Sequence, residues 1–233
     1  MGALVQPLLF WLLLGAGFQA SLRPPGAAVD LNALEYFYPG IIALVLLFTA
    51  IFSTISVVED RKAGFLQGVL VAPVPRARVV LGQALGGTTL ATAQGALFLA
   101  FAPFLGIRLA PLAVLASLGV LAAVAFALTS LGLVIAWRME STQGFHAIMN
   151  MILMPIWLLS GAFFPIAGAA GWLEWIMHLN PLTYGVAALR HCLYLGTPVV
   201  VGPAPSLPLA LAVTLAFCGL TYVGATVVAR RSG

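Results

Sequence analysis

The side chains able to do chemistry are few in this sequence and lie far apart. Its one lysine, Lys62, is followed by Ala63 and has no glycine-rich loop before it, so the chain lacks the GxxxxGK[ST] phosphate cradle of a P-loop ATPase. Neither HExxH nor GxSxG occurs, and the three histidines lie in different segments without the spacing of metal ligands. We therefore predict no catalytic residue, no metal site and no cofactor bound by this chain.

The carboxylates also argue against several transport mechanisms. All six fall at the ends of apolar runs or in loops: Asp30, Glu35, Glu59, Asp60, Glu140 and Glu174. Ion-driven transporters usually bury carboxylates within their spans, and channels carry rings of charge or a filter sequence. Both classes are disfavoured, so any energy must come from another protein.

The composition indicates which kind of fold must position these residues. Of 233 residues, 62% are hydrophobic and 7% are charged, whereas a soluble domain carries about 25% charged residues. Such a surface is suited to lipid, so we predict an all-α integral membrane protein with 1–233 as one domain. The net charge of +4 comes from scattered basic residues, which does not indicate a nucleic-acid surface.

Apolar runs predict six transmembrane helices and their orientation. The runs are 3–22, 40–58, 79–104, 110–136, 146–164 and 207–228. The loops that follow the second, fourth and sixth runs hold seven basic residues: Arg61, Lys62, Arg76, Arg78, Arg138, Arg230 and Arg231. The other loops hold three: Arg23, Arg108 and Arg190. By the positive-inside rule, we predict that both termini of this multi-pass chain are cytoplasmic. We expect the membrane to be the plasma (bacterial inner) membrane.

The segment 162–206 is too polar and too broken for one span. Pro165 and Pro181 interrupt helices there, which predicts a broken re-entrant hairpin of two short helices in the outer leaflet. Its tryptophans, Trp172 and Trp175, suit either interface anchors or substrate contacts.

The loop 59–78 predicts a short amphipathic helix at the cytoplasmic surface. Phe65, Leu66, Val69 and Leu70 share one face at helical spacing, and Pro73 stops the helix. This face must bury itself in lipid headgroups or in a partner protein, and the pattern alone leaves both open.

Three segments in order resemble the membrane subunits of ATP-binding-cassette exporters, the ABC type-2 permease family. They are the loop with Glu59, Gly64, Leu70, Pro73 and Arg76, then LSGAFFP at 159–165, then NPLTY at 180–184. In that family the first span follows a cytoplasmic leader and an amphipathic elbow helix, whereas here the first predicted span begins almost at Met1.

The resemblance implies an exporter driven by two ATPase subunits, which bind ATP and Mg. It also implies a second permease subunit, either another copy of this chain, in a homodimer, or a close relative. The loop would be the coupling helix, with Leu66 and Leu70 in a groove of the ATPase and Glu59 and Arg76 at its rim. The residues implied in coupling are Glu59, Arg61, Gly64, Leu66, Leu70, Pro73 and Arg76. Those implied in the outer hairpin at the exit are Pro165, Trp172, Asn180, Pro181 and Tyr184.

Polar residues in two spans suggest a translocation path. Thr49, Ser53 and Ser56 recur at helical spacing in the second span, and Gln143, Asn150 and Met154 lie near one face of the fifth. The alternative is that these small and polar residues only help helices to pack. The residues Gly86, Gly87, Thr88, Thr92 and Gly95 of the third span are interpreted as packing alone.

The sequence therefore predicts an exporter permease, not an enzyme by itself, for a drug, a lipid or a glycolipid. The alternative is a membrane protein of another class, such as a secondary transporter or a lipid-binding assembly factor that acts without ATP.

Overall fold

The chain folds into a bundle of helices. The computed structural model describes residues 7, 9–13, 17, 33–71, 73–107, 109–166, 169–195 and 204–231, without the side chains of Ala33, Gln67, Leu70 and Val71. The α-helices within this part are α1 Ala33–Ser53, α2 Ile55–Lys62, α3 Phe65–Val71, α4 Arg76–Leu99, α5 Pro111–Ala136, α6 Thr142–Trp157, α7 Gly171–Leu179, α8 Pro181–Leu193 and α9 Leu207–Arg231. A 3₁₀ turn, Ala102–Leu105, follows α4, and a π-helical turn, Leu158–Ala162, follows α6.

Five helical stretches of the described residues are long and apolar enough to cross a membrane. They are Leu34–Lys62, Arg76–Leu105, Pro111–Ala136, Thr142–Ala162 and Leu207–Arg231. Most of the predicted first span, 3–22, lies outside the described residues, so the count of six spans stays a prediction.

Three helices begin earlier than their apolar runs: α1, α4 and α6. The predicted span 40–58 belongs to a helix that begins at Ala33, because Pro39 is accommodated inside α1. Helix α6 begins at Thr142 instead of 146, because the Ser141 hydroxyl caps it by accepting a hydrogen bond from the Gly144 N–H at 3.3 Å. The Ser141 cap, which hydropathy does not register, therefore marks the start of α6, and the proline does not interrupt α1.

Helix α5 lies at the centre of the bundle and packs against α1, α4, α8 and α9. Two glycines permit close helix approach. A Cβ on Gly87 of α4 would lie 2.6 Å from Thr129 Cγ2 of α5, and one on Gly132 of α5 would lie 2.8 Å from Thr54 Oγ1. Small residues at such positions let the backbones of membrane helices pack closely.

Hydrogen bonds identify the two ends of the bundle. At one end, Arg61 and Arg76 contact the last turns of α5 and α9; we name this the basic end. At the other, the Tyr194 hydroxyl donates to the Glu35 carbonyl at 3.0 Å. The loops that carry the basic excess therefore meet at one end, as a common membrane side requires, and the side that this end faces stays a prediction.

Candidate functional site: docking loop, cavities and outer hairpin

The docking loop, residues 59–78, joins the second and third spans at the basic end. Gly64 takes the left-handed conformation, with φ of 76°, and follows the end of α2. A residue without Cβ adopts this conformation freely, so Gly64 lets the chain turn sharply into α3. The seven-residue helix α3 ends just before the exposed Pro73.

The apolar face of α3 is divided between the chain's own core and its surface. Leu66 is 3% exposed and belongs to the hydrophobic core, whereas Phe65 is 65% exposed. Leu66 packs inside this chain, so the entry of Leu66 into a groove of a partner stays a prediction, and Phe65 is the accessible one of the two side chains. The side chain of Leu70 lies outside the described residues, so its docking role stays a prediction.

The two arginines of the docking loop contact backbone carbonyls of this chain. Arg61 donates to the Trp137 carbonyl at 2.7 Å and to the Met139 carbonyl at 3.4 Å. Arg76 donates to the Ala229 carbonyl at 2.7 Å. The hydrogen bond of Arg76 goes to the last span, and its contact at the rim of a partner stays a prediction. Exposed Glu59 remains a candidate for the rim.

A cavity of about 650 Å³ collects the residues predicted to line a path. Thr49, Ser53 and Asn150 all line it, together with Met154. The rest of the lining is mainly apolar: Pro7, Phe10, Leu44, Val45, Phe48, Phe52, Leu90 and Gln94. Exposed Gln143, on the same predicted face, is not part of this lining.

Gln94 is a cavity residue that the sequence interpretation missed. The Thr49 hydroxyl donates to Gln94 Oε1 at 2.5 Å, which links α1 to α4 beside the cavity. From the sequence, five small residues of the third span are interpreted as packing alone, and Gln94 is not among them. The signal available was an isolated amide in the middle of an apolar span, where a polar side chain needs a partner.

A smaller cavity of about 250 Å³ shares Ser53 and Leu90 with the first and extends to Ser56 and Gln83. Gly86 lines this smaller cavity, and a Cβ there would meet nothing within 4 Å. The interpretation of Gly86 as a packing residue is therefore wrong, while Gly87 does lie at a close helix contact.

The outer hairpin joins its two predicted motifs by hydrogen bonds. The π-helical turn after α6 contains Gly161 at φ of 74°, so it leaves carbonyls without regular α-helical partners. Asn180 Nδ2 donates to the Ile156 carbonyl at 2.6 Å, and Thr183 Oγ1 reaches the Leu159 carbonyl at 3.3 Å. NPLTY thus supplies one side chain that binds α6 just before LSGAFFP, at Ile156, and one that lies between the Leu159 carbonyl of LSGAFFP and the Met177 carbonyl of α7, the latter at 2.6 Å.

The same asparagine also starts α8. Asn180 Oδ1 accepts from the Leu182 N–H at 3.0 Å, and Pro181 is the first helical residue, where its missing N–H costs nothing. The Tyr184 hydroxyl donates to the His178 carbonyl at 3.0 Å and ties α8 to α7.

Two hairpin residues, Trp172 and Pro165, make no side-chain hydrogen bond within the part of the chain that the structure describes. Trp172 is 69% exposed on α7, and Pro165 is partly buried after the π-helical turn. Exposure of Trp172 suits an interface anchor or a substrate contact, so the structure leaves both open.

The model of the ABC-2 type transporter family matches residues 1–194. The chain belongs to this family. The match takes in the docking loop, the residues lining both cavities and α8, and it ends before α9. The resemblance that the three motifs indicated is thereby confirmed.

Named relatives of this ABC-2 family member agree with that assignment. A transport permease named ycf38 from Cyanophora paradoxa is 30% identical over 194 residues, which cover 82% of this chain and 66% of that protein. Nodulation protein J from Rhizobium leguminosarum bv. trifolii is 28% identical over 202 residues, which cover 86% of this chain and 75% of that protein. A ycf38 permease from Porphyra purpurea is 25% identical, again over 66% of its length. The chain thus spans 66% of the length of these ycf38 relatives.

Proposed function

We propose that this chain is the permease subunit of an ABC exporter. It moves a neutral amphiphile of the drug, lipid or glycolipid type out of the cytoplasm, and a separate subunit hydrolyses ATP with Mg. The observation that carries this proposal is the 650 Å³ cavity, where side chains from three described spans meet in a member of the ABC-2 family.

The lining of the cavity supports a neutral amphiphile as the proposed substrate. Four polar side chains, Thr49, Ser53, Gln94 and Asn150, lie among apolar and aromatic ones, and none of the described lining residues is charged. Sites of this volume and lining suit molecules with a large apolar part and a few neutral hydrogen-bonding groups. A charged substrate would find no counter-ion there and would lose its hydration.

The docking loop is the surface proposed for the ATPase. Phe65 projects from α3, and its burial in a partner groove would contribute about 1.5–3 kcal/mol. Glu59, Gly64, Leu70 and Pro73 complete the proposed contact. Two ATPase subunits and a second copy of this chain would form the complex, in the plasma membrane with both termini cytoplasmic.

The experiment is co-purification with the ATPase, followed by ATP hydrolysis in lipid vesicles with a panel of neutral amphiphiles. Asn150→Trp should fill the cavity and abolish stimulation by the amphiphile that acts on the parent. Met151→Trp is the matched control, because Met151 is 80% exposed next in the chain and does not line the cavity.

Two outcomes would contradict the proposal. Failure to capture an ATPase, with transport continuing in its absence, would favour a secondary transporter or an assembly factor. Equal effects of the two tryptophan variants on stimulation would show that the cavity is not part of the translocation path.

A further inference from the structure

The docking loop is attached to the rest of the bundle at its beginning by Arg61. The guanidinium of Arg61 donates to two carbonyls just beyond α5, those of Trp137 and Met139, and its central carbon lies 5.7 Å from the centre of the Trp137 ring. The last carbonyls of a helix have no partners within the helix and carry partial negative charge. The planar guanidinium of Arg61, which binds the Trp137 and Met139 carbonyls that follow this helix, holds α2 against the end of α5.

A second attachment lies beyond α3, at Arg76. Its guanidinium donates to the Ala229 carbonyl in the last turn of α9, at 2.7 Å. The Tyr222 hydroxyl of α9 donates back to the Ala77 carbonyl at 3.1 Å. The first turn of α4 and the last three turns of α9 are thus linked in both directions.

We infer that Arg61 and Arg76 are positioning residues that transmit movement of α3 to α5 and α9. The inference rests on the proposed function, in which α3 receives force from the ATPase. Because α3 lies between the two arginines along the chain, a displacement of α3 pulls on the ends of two different spans. Without these hydrogen bonds, α3 would be linked to α5 and α9 only by the packing of α2 and α4 against them.

The two arginines should differ in how they tolerate lysine. Arg76 makes one hydrogen bond, which an ammonium group can also make. Arg61 contacts two carbonyls and faces an indole ring, and lysine cannot reproduce the planar fork. Arg76→Lys should therefore retain transmission, and Arg61→Lys should lose much of it.

The test uses the complex of the full chain with its ATPase in lipid vesicles and a fluorophore at the opposite end, on Gly171→Cys. Gly171 is exposed, and a Cβ there meets nothing within 4 Å. A Cys218→Ser background restricts labelling, since Cys192 is buried and burial raises the pKa of its thiol. The probe is ATP with vanadate, and the readout is the change in emission, measured beside ATPase capture and thermal stability.

We expect Arg61→Gln and Arg76→Gln to capture the ATPase normally and to reduce the responding fraction by about tenfold, within the range of allosteric couplings. Arg138→Gln and Arg78→Gln are charge-matched controls, because both arginines are exposed near these contacts, and they should respond like the parent. If Arg61→Gln fails to fold, Arg61→Lys decides the question.

A parental response in Arg61→Lys or in Arg76→Gln would overturn the inference. Loss of thermal stability in proportion to the lost response would also overturn it, because both arginines would then be merely structural. Failure of the parent itself to capture an ATPase or to respond to ATP would instead contradict the proposed function.

Discussion

Adding one methyl group at Gly87 tests how closely α4 approaches α1 and α5. The new Cβ would overlap the Ser53 hydroxyl and would lie 2.6 Å from Thr129 Cγ2. The serine hydroxyl can rotate away. Thr129 is fully buried in α5 and its hydroxyl is bound to the Ala125 carbonyl at 2.8 Å, so relief of this second contact requires a helix shift.

The neighbouring Gly86 supplies the reference for the magnitude. Both glycines lie inside α4, where replacing glycine by alanine contributes about 1 kcal/mol in helix propensity. At Gly86 nothing lies within 4 Å, so Gly86→Ala keeps this gain. Overpacking at Gly87 costs about 1–3 kcal/mol, so Gly87→Ala should be less stable than Gly86→Ala by about that amount.

The measurement is the free energy of unfolding in detergent micelles for the parent and both alanine variants. Their difference isolates the packing cost, because the propensity gain cancels. Gly82→Ala, at another open position in α4, repeats the reference. Equal stability of Gly86→Ala and Gly87→Ala would refute the close approach of α4 to α5.

Three further predictions follow from the same contacts. Cysteines placed at Ala63 and Gly171 should react with membrane-impermeant reagents from opposite sides, and labelling from one side would contradict the alternating spans. Phe65→Ala should weaken ATPase capture at unchanged stability. Leu66→Ala should instead destabilise the fold by about 2–5 kcal/mol, because Leu66 is buried. The reverse pattern would show that Leu66 faces the partner. Asn180→Ala should lower the stability of the fold by about 1–3 kcal/mol in thermal unfolding, because the α8 cap and the hydrogen bond to the Ile156 carbonyl are both lost. Asn180→Asp keeps the oxygen that accepts the cap hydrogen bond, so it should lower the stability by less.

The spans could be predicted from sequence because the bilayer imposes one length on every crossing. Apolar runs of about 20 residues identify such helices without knowledge of their neighbours, and the predicted 110–136 and the observed Pro111–Ala136 agree closely. The start of α1 could not be found this way. Pro39 and Glu35 lower the local hydropathy, yet the helix continues through both residues.

The orientation of single side chains was harder to predict, because it depends on which neighbour is already present. Phe65 and Leu66 look equivalent in a helical pattern, but α3 packs so that only Leu66 turns inward. The sequence pattern does not show that Arg76 has a partner within this chain. That partner, the Ala229 carbonyl, lies in α9, more than a hundred residues later in the chain. Only the tertiary fold contains this information.

The two interpretations of the polar residues, as path or as packing, do not exclude each other. Ser53 lines both cavities, and it also lies where the absent side chain of Gly87 lets α4 approach. The Ser53 hydroxyl donates to the Ala50 carbonyl at 2.7 Å, and close packing at Gly87 brings α4 beside it, at the place where the two cavities meet. A membrane helix pair that packs through small residues leaves little apolar bulk at the contact, and the hydroxyl and amide groups beside it line the two cavities. In this chain Gly87 permits the helices to approach closely, and the polar groups beside the contact belong to Ser53, Thr49 and Gln94.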